Sequence, residues 1–378
     1  MKGAFLYVDA GKGHYVPAVA LADSFERAGH EAVVEDLFVA FKTPLWRWVC
    51  KNDWRFCLRH PRFERILHTL TDIRLNYYLI RKEVGFPPGR LKSFVAWFEK
   101  EKPDFIVSTN FLGGIILPKI LKKTGIDVPV FQYVADVFDT PVVGVNNELD
   151  RFYVPSDLGV SYALKRGQKS DSVARCPFPI RAEFKDYEFQ GKKKARANLG
   201  LKDKFTILIT LGGEGIGDDK ILYGLAKRGM DVQVVIIGGN HAATQKSFDE
   251  FKAKYPNFDL VRPGYVTNVY EYIDASDMQV GKAGANALME AMYLQRPCLI
   301  SEVLFMARKV EEFFAECQVG WCEDDLEKKL DIIESCYRNE GILSDISKRF
   351  ENLSLTFSSD KFRDQILDDY KKIKSGRN

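Results

Sequence analysis

The chain has 378 residues, 46% hydrophobic, 28% charged and 13% aromatic, and its 55 basic and 52 acidic residues leave a formal net charge of +3. That length suggests two domains of ordinary size, and the composition excludes a disordered, collagen-like or disulfide-stapled chain. Seven cysteines with no CxxC pair point to a reduced, cytosolic setting and away from structural zinc.

The first residues, GAFLYVD, read as a buried strand that runs into a glycine turn (Gly11, Gly13). Asp9 and Lys12 come too early for a secretory signal core. An apolar-periodic helix follows from about Val16 to Ala28, then a strand EAVVED at 31–36, which completes a βαβ unit. After a basic stretch, DFIVS (104–108), a helix near 114–123, VPVFQYV (128–134) and RFYVPS (151–156) continue the alternation. A second series opens with FTILIT (205–210). It runs through a helix at about 219–229, VQVVIIG (232–238), a helix near 243–255, DLV (259–261), MQVG after Asp277, a helix near 285–294, PCLIS (297–301) and a helix near 307–317. Two such series predict two doubly wound α/β domains, with the joint in the charged stretch 181–203. The domains are therefore expected over 1–185 and 186–357, with an amphipathic helix in 358–378 packing back on the first. Ligands bind such sheets at the carboxyl ends of their strands, which places the site in a cleft between two facing domains. No run of about 18 apolar residues exists to span a membrane.

The small net charge hides an uneven distribution. Residues 41–92 carry twelve Lys/Arg against four acids, a local +8 that leaves the rest at −5, and they hold nine aromatics including Trp46, Trp48 and Trp54. Arg47, Lys51, Arg55 and Arg59 recur every four residues, one basic stripe on a helix that Pro61 ends, with Leu45, Trp48, Val49 and Phe56 on other faces. Cations beside Trp48 and Trp54 suit a helix lying in the headgroup layer of an anionic membrane. A solvated basic face over a packed core has the same pattern. Nucleic acid is disfavoured, because no recognised binding motif accompanies the patch.

Three constellations carry chemistry. Asp9-Ala-Gly-Lys-Gly-His14 joins a strand to a helix; Gly11 and Gly13 allow close backbone approach, the helix N-terminus favours anions, and His14 is a candidate base. Position 16 is valine, so the GxGxxG dinucleotide fingerprint is absent. Leu211–Gly217, with Gly212 and Gly213, lacks the GK[ST] of a P-loop but can offer backbone N–H groups to a phosphate or sugar. Gly264-Tyr265-Val266-Thr-Asn, then Gly281-Lys-Ala-Gly284-Ala285-Asn286-Ala-Leu-Met-Glu290, places a small-residue turn before a helix. That turn can hold a diphosphate, and the Glu290 carboxylate can receive ribose hydroxyls.

With these residues in place, most of the chain resembles the GT-B glycosyltransferases that make membrane glycolipids. These are the monogalactosyldiacylglycerol synthases and processive diacylglycerol glucosyltransferases, related to the N-acetylglucosaminyltransferase that makes lipid II. Asp9–His14 is similar to their Gly-Gly-Gly-His loop, with Lys12 at the middle glycine. Pro103–Asn110 resembles their Pro-Asp-Ile-Ile strand, and Val134-Ala-Asp136 with Asp150–Ser156 their Thr-Asp and Asp-x-Tyr-x-Val-x-Ser segments. Pro177–Phe184 resembles the segment closing their first domain, and Gly264–Asn268 and Gly281–Glu290 their donor signatures.

The resemblance implies a GT-B fold with a UDP-sugar on the C-terminal domain and a lipid acceptor, such as diacylglycerol, on the N-terminal domain. Uracil would meet the backbone at Tyr265–Val266, ribose Glu290, and diphosphate Gly284, Ala285 and Asn286. An inverting displacement would use His14, Asp9 or Asp136 as base, with helix dipole and N–H groups stabilising the leaving group, so that neither a metal nor a cofactor is needed. The expected enzyme is peripheral at the inner face of the cell membrane. A lipid II-type GlcNAc transferase, a UDP-GlcNAc 2-epimerase and an inactive nucleotide- or lipid-binding homologue are the alternatives. The family's Pro-x-x-Gly-Gln-Glu is replaced by Ser301–Lys309, with Met306 and Ala307 at the Gln-Glu pair, and Asn286–Ala287 stand where a threonine is expected. Loss of those hydroxyl-binding groups points to a different donor sugar, to Glu302 as a substitute, or to reduced activity.

Overall fold

The computed structural model describes residues 1–73, 88–211, 219–239, 242–303 and 305–377, and of Trp54, Pro61, Thr71, Pro88, Gly89, Asp219, Ala242, Ala243, Thr244, Met306 and Arg377 the backbone alone. The chain divides into two compact units, Met1–Lys185 with Ser354–Asn378, and Asp186–Leu353. Each is built on one parallel sheet, six-stranded among the described residues. Both sheets are covered on both faces, which is why their strands are continuous apolar runs rather than alternating ones. The two doubly wound domains of a GT-B fold are borne out.

In the first unit the strands are β1 (Lys2–Tyr7), β2 (Glu31–Asp36), β3 (Phe105–Ser108), β4 (Val130–Tyr133), β5 (Arg151–Val154) and β6 (Val173–Arg175), in the order β2-β1-β3-β4-β5-β6. Successive side chains of β1 serve opposite faces. Phe5 joins Phe25, Phe105 and Phe131 on one side, and Leu6 joins Ile106, Ile116 and Leu117 on the other. The C-terminal helix Ser359–Arg377 lies over the first of these faces, with Phe362 and Ile366 fully buried there. Tyr153 Oη of β5 donates to Asp369 at 2.9 Å, and Ser24 Oγ of the helix Lys12–Arg27 donates to Asp360 at 2.6 Å, which ties the middle of that helix to the sheet and its start to a neighbouring helix.

In the second unit β7 (Thr206–Thr210), β8 (Gln233–Ile237), β9 (Asp259–Gly264), β10 (Met278–Lys282), β11 (Cys298–Glu302) and β12 (Gly320–Cys322) take the order β12-β11-β10-β7-β8-β9. Numbered from the first strand of this unit, that is the 3-2-1-4-5-6 order of dinucleotide-binding sheets, read from the β9 edge. Ile207, Ile209, Val234, Ile236, Val280 and Leu299 form its core with Leu222, Leu225 and Phe251. In each sheet one pair of neighbours marks where the strand order reverses, β1/β3 in the first and β7/β10 in the second. The crevice outside such a pair is where ligands enter.

The basic stretch folds as two helices, Pro44–Arg59 and Pro61–Thr71, each with proline at its start, where the missing N–H costs nothing. Pro61 thus ends the first helix and begins the second.

Candidate functional site

The turn after β1 and the segment after β3 meet at the first reversal point. Gly11 has φ +82°, a conformation open to glycine, and precedes the helix Lys12–Arg27, which starts without a side-chain cap. His14 therefore lies in that helix's first turn. Its Nδ1 is 2.8 Å from the carbonyl oxygen of Thr109, and Thr109 Oγ1 donates back to the His14 carbonyl at 2.8 Å. A carbonyl only accepts, so Nδ1 carries the proton and Nε2 keeps its lone pair. Burial holds the imidazole pKa below its ordinary value, against the Thr109 bond, which raises it. The geometry is that of a neutral imidazole with one nitrogen fixed and the other ready to take a proton.

His14 and Asp136 line one small cavity of ≈ 20 Å³ together with Thr109, Gln132 and Thr140. It has room for a water and not for a sugar. Gln132 Oε1 and Thr140 Oγ1 are buried without a protein partner, so this edge of the sheet is polar and incompletely satisfied. Burial, reinforced by Asp139 and opposed by His68, pushes the Asp136 carboxyl up to about 6. Asp139 itself is paired with Arg166, which also donates to the Thr140 carbonyl and approaches Asp72 at 3.7 Å. His68 stands 3.8 Å from the buried Glu64 one helical turn away.

A carboxyl raised in the fold binds its proton more tightly there than in the unfolded chain. Stability is then lost as pH rises through the window from about 4 to 6. Asp136→Asn is expected to stabilise the protein above about pH 6, by about 2–3 kcal/mol, and to leave it unchanged near pH 4. Thermal unfolding of both proteins at pH 4 and 7.5 checks this; equal melting temperatures at both would refute the burial argument.

Asp9, the third candidate base, is occupied by cations. Its Oδ2 accepts from Lys51 Nζ at 3.1 Å and Arg47 at 3.4 Å, and its backbone N–H donates to Asp36 Oδ2 at 3.0 Å. Two members of the basic stripe thus reach inward, while Arg55 and Arg59 are exposed. Around them the two helices expose Leu45 (69%), Trp48 (63%), Phe56, Phe63, Ile66 (63%) and Leu70. Scattered apolar residues on a surface are ordinary; here they are concentrated on two consecutive helices. No described helix is long and apolar enough to cross a membrane.

At the second reversal point β10 ends at Lys282, and the helix Ala285–Tyr293 starts after Gly284, again without a side-chain cap. Ala285 and Asn286 are half-buried in the first turn and Glu290 is buried at 7% exposure, not an exposed helix acid. Gly264, with φ +81°, ends β9 and turns the chain outward at Tyr265, which is 75% exposed, while Val266 is half-buried. Lys282 and Glu302 are register partners across a bulge between β10 and β11, and their side chains pair at 2.6 Å. After β11 a 3-10 turn spans Phe305–Ala307, and Arg308 packs on the Phe305 ring 3.9 Å from its centroid. Gly212 and Gly213 lie outside the described residues. Among the described residues no group of three or more His, Cys, Asp or Glu side chains is placed to hold a metal ion.

Of the residues this geometry brings forward, His14, Asp136, Glu290 and Glu302 are among the sequence candidates, whereas the roles of Thr109 and Asp36 and the pairing of Glu302 with Lys282 are not. Thr109 was discoverable in outline, because it follows a buried strand at the ligand-binding edge. That its carbonyl faces His14 was not, since no side-chain pattern marks it.

Residues 219–301 match the glycosyltransferase family 28 C-terminal domain. The chain is 26% identical over 370 residues to the processive diacylglycerol beta-glucosyltransferase of Bacillus licheniformis, covering 96% of this chain and 94% of that one. Among solved structures it is similar to Anabaena HepE in complex with UDP-glucose, with a TM-score of 0.61 at 13% identity over 98% of this chain and 100% of that one. It is equally similar to the UDP-GlcNAc 2-epimerase of Neisseria meningitidis bound to UDP-GlcNAc, with a TM-score of 0.61 at 11% identity over 98% and 100%. The two structures speak for the fold, which hosts more than one reaction. The sequence relative and the family domain bear out the resemblance to the processive glucosyltransferases and identify the chain as a glycosyltransferase.

Proposed function

We propose that this glycosyltransferase moves a sugar from a UDP-sugar to the hydroxyl of a lipid such as diacylglycerol, by one inverting displacement, while seated on the inner face of the cell membrane. The observation that carries the reading is that likeness to a diacylglycerol glucosyltransferase extends over 96% of the chain, through both units.

In this reading the C-terminal unit holds the donor. Backbone groups at Tyr265–Val266 meet the uracil, Glu290 receives the ribose hydroxyls, and the first turn of the Ala285–Tyr293 helix takes the diphosphate at its N-terminus. The acceptor oxygen attacks the anomeric carbon from the face opposite the diphosphate, and a new C–O bond forms as the bond to the β-phosphate oxygen breaks. The bonding pair leaves with UDP, and the acceptor proton passes to His14 Nε2. Helix dipole and backbone N–H groups offset the charge that grows on the diphosphate, so the step uses no metal.

The exposed apolar residues of the two basic helices supply the membrane contact, with Arg55 and Arg59 facing anionic headgroups. Transfer of radiolabelled sugar from a panel of UDP-sugars into diacylglycerol micelles tests the activity. Failure to label any lipid with any of them would sink the reading, and formation of a C2-epimerised sugar, whether still on UDP or hydrolysed from it, would favour the epimerase. For the membrane, Trp48→Glu with Ile66→Glu is expected to lower co-sedimentation with phosphatidylcholine/phosphatidylglycerol vesicles at least tenfold. Neutralising Arg55 and Arg59 should cost about fivefold each, from about 1 kcal/mol per cation near the surface. Binding that survives neutralising Arg47, Lys51, Arg55 and Arg59 together would remove the electrostatic role of the stripe.

A further inference from the structure

The four residues Asp9, Asp36, Arg47 and Lys51 form one ionic knot across three elements. Asp9 Oδ2 takes Lys51 at 3.1 Å and Arg47 at 3.4 Å, and Arg47 Nε also lies 3.6 Å from Asp36 Oδ2. Asp36 is itself immobile: it is 1% exposed, and its Oδ1 caps the short helix after β2 through Phe38 N–H at 2.8 Å and Val39 N–H at 3.3 Å. The Asp9 backbone N–H is held by the same carboxylate at 3.0 Å. Asp9 is thereby fixed at both backbone and side chain, five residues before His14.

What lies between is soft. Gly11 and Gly13 carry the greatest backbone freedom of any residue type, Gly11 precedes and Gly13 opens a helix that has no side-chain cap, and a Cβ added at Gly13 would meet nothing within 4 Å. The turn is thus defined from its two ends, by the knot at Asp9 and by the paired bonds between His14 and Thr109. The Pro44–Arg59 helix, which presents Leu45 and Trp48 outward, grips the first of those ends through Arg47 and Lys51.

We infer that Asp9 is a positioning residue and not the base: a strut through which Arg47 and Lys51 set the glycine turn and with it the place of His14. The inference rests on the proposed glycosyl transfer with His14 as proton acceptor. A misplacement of about 1 Å at a reacting group costs on the order of 10²-fold, so loss of the strut is read in kcat, while donor binding in the other unit is untouched.

The test is a mutant cycle on the full-length protein, with transfer from UDP-glucose to diacylglycerol in detergent micelles so that vesicle docking does not enter. Asp9→Asn, the Arg47→Met/Lys51→Met double variant and the triple variant are compared for kcat, for KM of UDP-glucose and for pH profile. A strut predicts that Asp9→Asn and the double variant each lower kcat about 10–100-fold, with KM within twofold. The triple variant should then be no worse than either, and the acid limb of the pH profile should stay in place. The exchange Asp9→Lys with Lys51→Asp should recover at least part of the loss. Two results overturn the inference: multiplicative losses in the triple variant, or a 10²–10⁴-fold loss in Asp9→Asn, with the acid limb abolished, beside a double variant within twofold of the wild type. Should Asp9→Asn melt below the assay temperature, Lys51→Met alone, at a half-exposed side chain, decides between them by its kcat. A wild-type protein that transfers no sugar from any UDP-sugar refutes the glycosyl-transfer reading instead, a failure distinct from additivity in an active enzyme.

Discussion

Replacing His14 by asparagine is expected to lower kcat by about 10²–10⁴-fold, the range over which a positioned general base contributes. UDP affinity should stay within twofold. The argument starts from one contact. Because the Thr109 carbonyl at 2.8 Å can only accept, it fixes the proton on Nδ1 and leaves Nε2 as the sole basic site on the ring. Burial, the principal cause, depresses the pKa of the imidazole, and the positive end of its own helix acts in the same direction. The neutral form that accepts protons is therefore retained to more acidic pH than in an ordinary histidine. The acid limb of kcat/KM should accordingly fall below the usual histidine value of about 6.5. Asp136, pushed up to about 6, would also produce a limb below that value. Position alone does not separate the two, but the variants do. With His14 as base, Asp136→Asn keeps the limb and His14→Asn removes it; the reverse pattern would hand the role to Asp136. A His14→Asn enzyme within threefold of wild type would end the assignment.

The parts of this molecule that a reader of the sequence can find are those encoded in local pattern. FTILIT and VQVVIIG each lose one residue or one at each end, because buried parallel strands are unbroken apolar runs bounded by polar residues, and the edge strand EAVVED, though mostly half-buried, occupies 31–36 as expected because it is long enough to be read between its acids. The edge strands Val173–Arg175 and Gly320–Cys322 escape notice for the opposite reason. Each is three residues long and only half-buried, too short for a period to register. The helix Pro44–Arg59 is legible from its prolines and its four-residue charge spacing, yet the spacing suggests one uniform basic face. Only the fold shows that Arg47 and Lys51 reach Asp9, some 40 positions earlier in the chain. The His14–Thr109 bond is hidden for the same reason, since a backbone carbonyl 95 residues from the histidine carries no side-chain mark. Site residues are thus readable by type, and their partners only from topology.

The same distinction governs Glu290, whose exchange for alanine is expected to weaken UDP binding about 10²-fold and to leave the acceptor KM unchanged. In the proposed donor site one carboxylate receives two adjacent ribose hydroxyls, and hydrogen bonds to a charged group contribute about 1.5–3 kcal/mol each. Part of that is recovered by water at the emptied site, which brings the net loss to about 3 kcal/mol, or two orders of magnitude. The carboxylate is 7% exposed, in the second turn of a helix whose Leu288, Met289, Ala291 and Met292 are all buried. A truncation there removes packing as well as charge. Glu290→Gln keeps the volume and one carbonyl acceptor, so it should fold as the wild type does and lose about tenfold in affinity, with most of the effect absent for a 2′-deoxy donor. Calorimetric titration with UDP and with 2′-deoxy-UDP, read beside the melting temperature, separates the two contributions. If Glu290→Gln and the wild type bind UDP equally, the carboxylate has no part in holding ribose. If both variants melt early and bind normally once cooled, Glu290 is a buried structural acid.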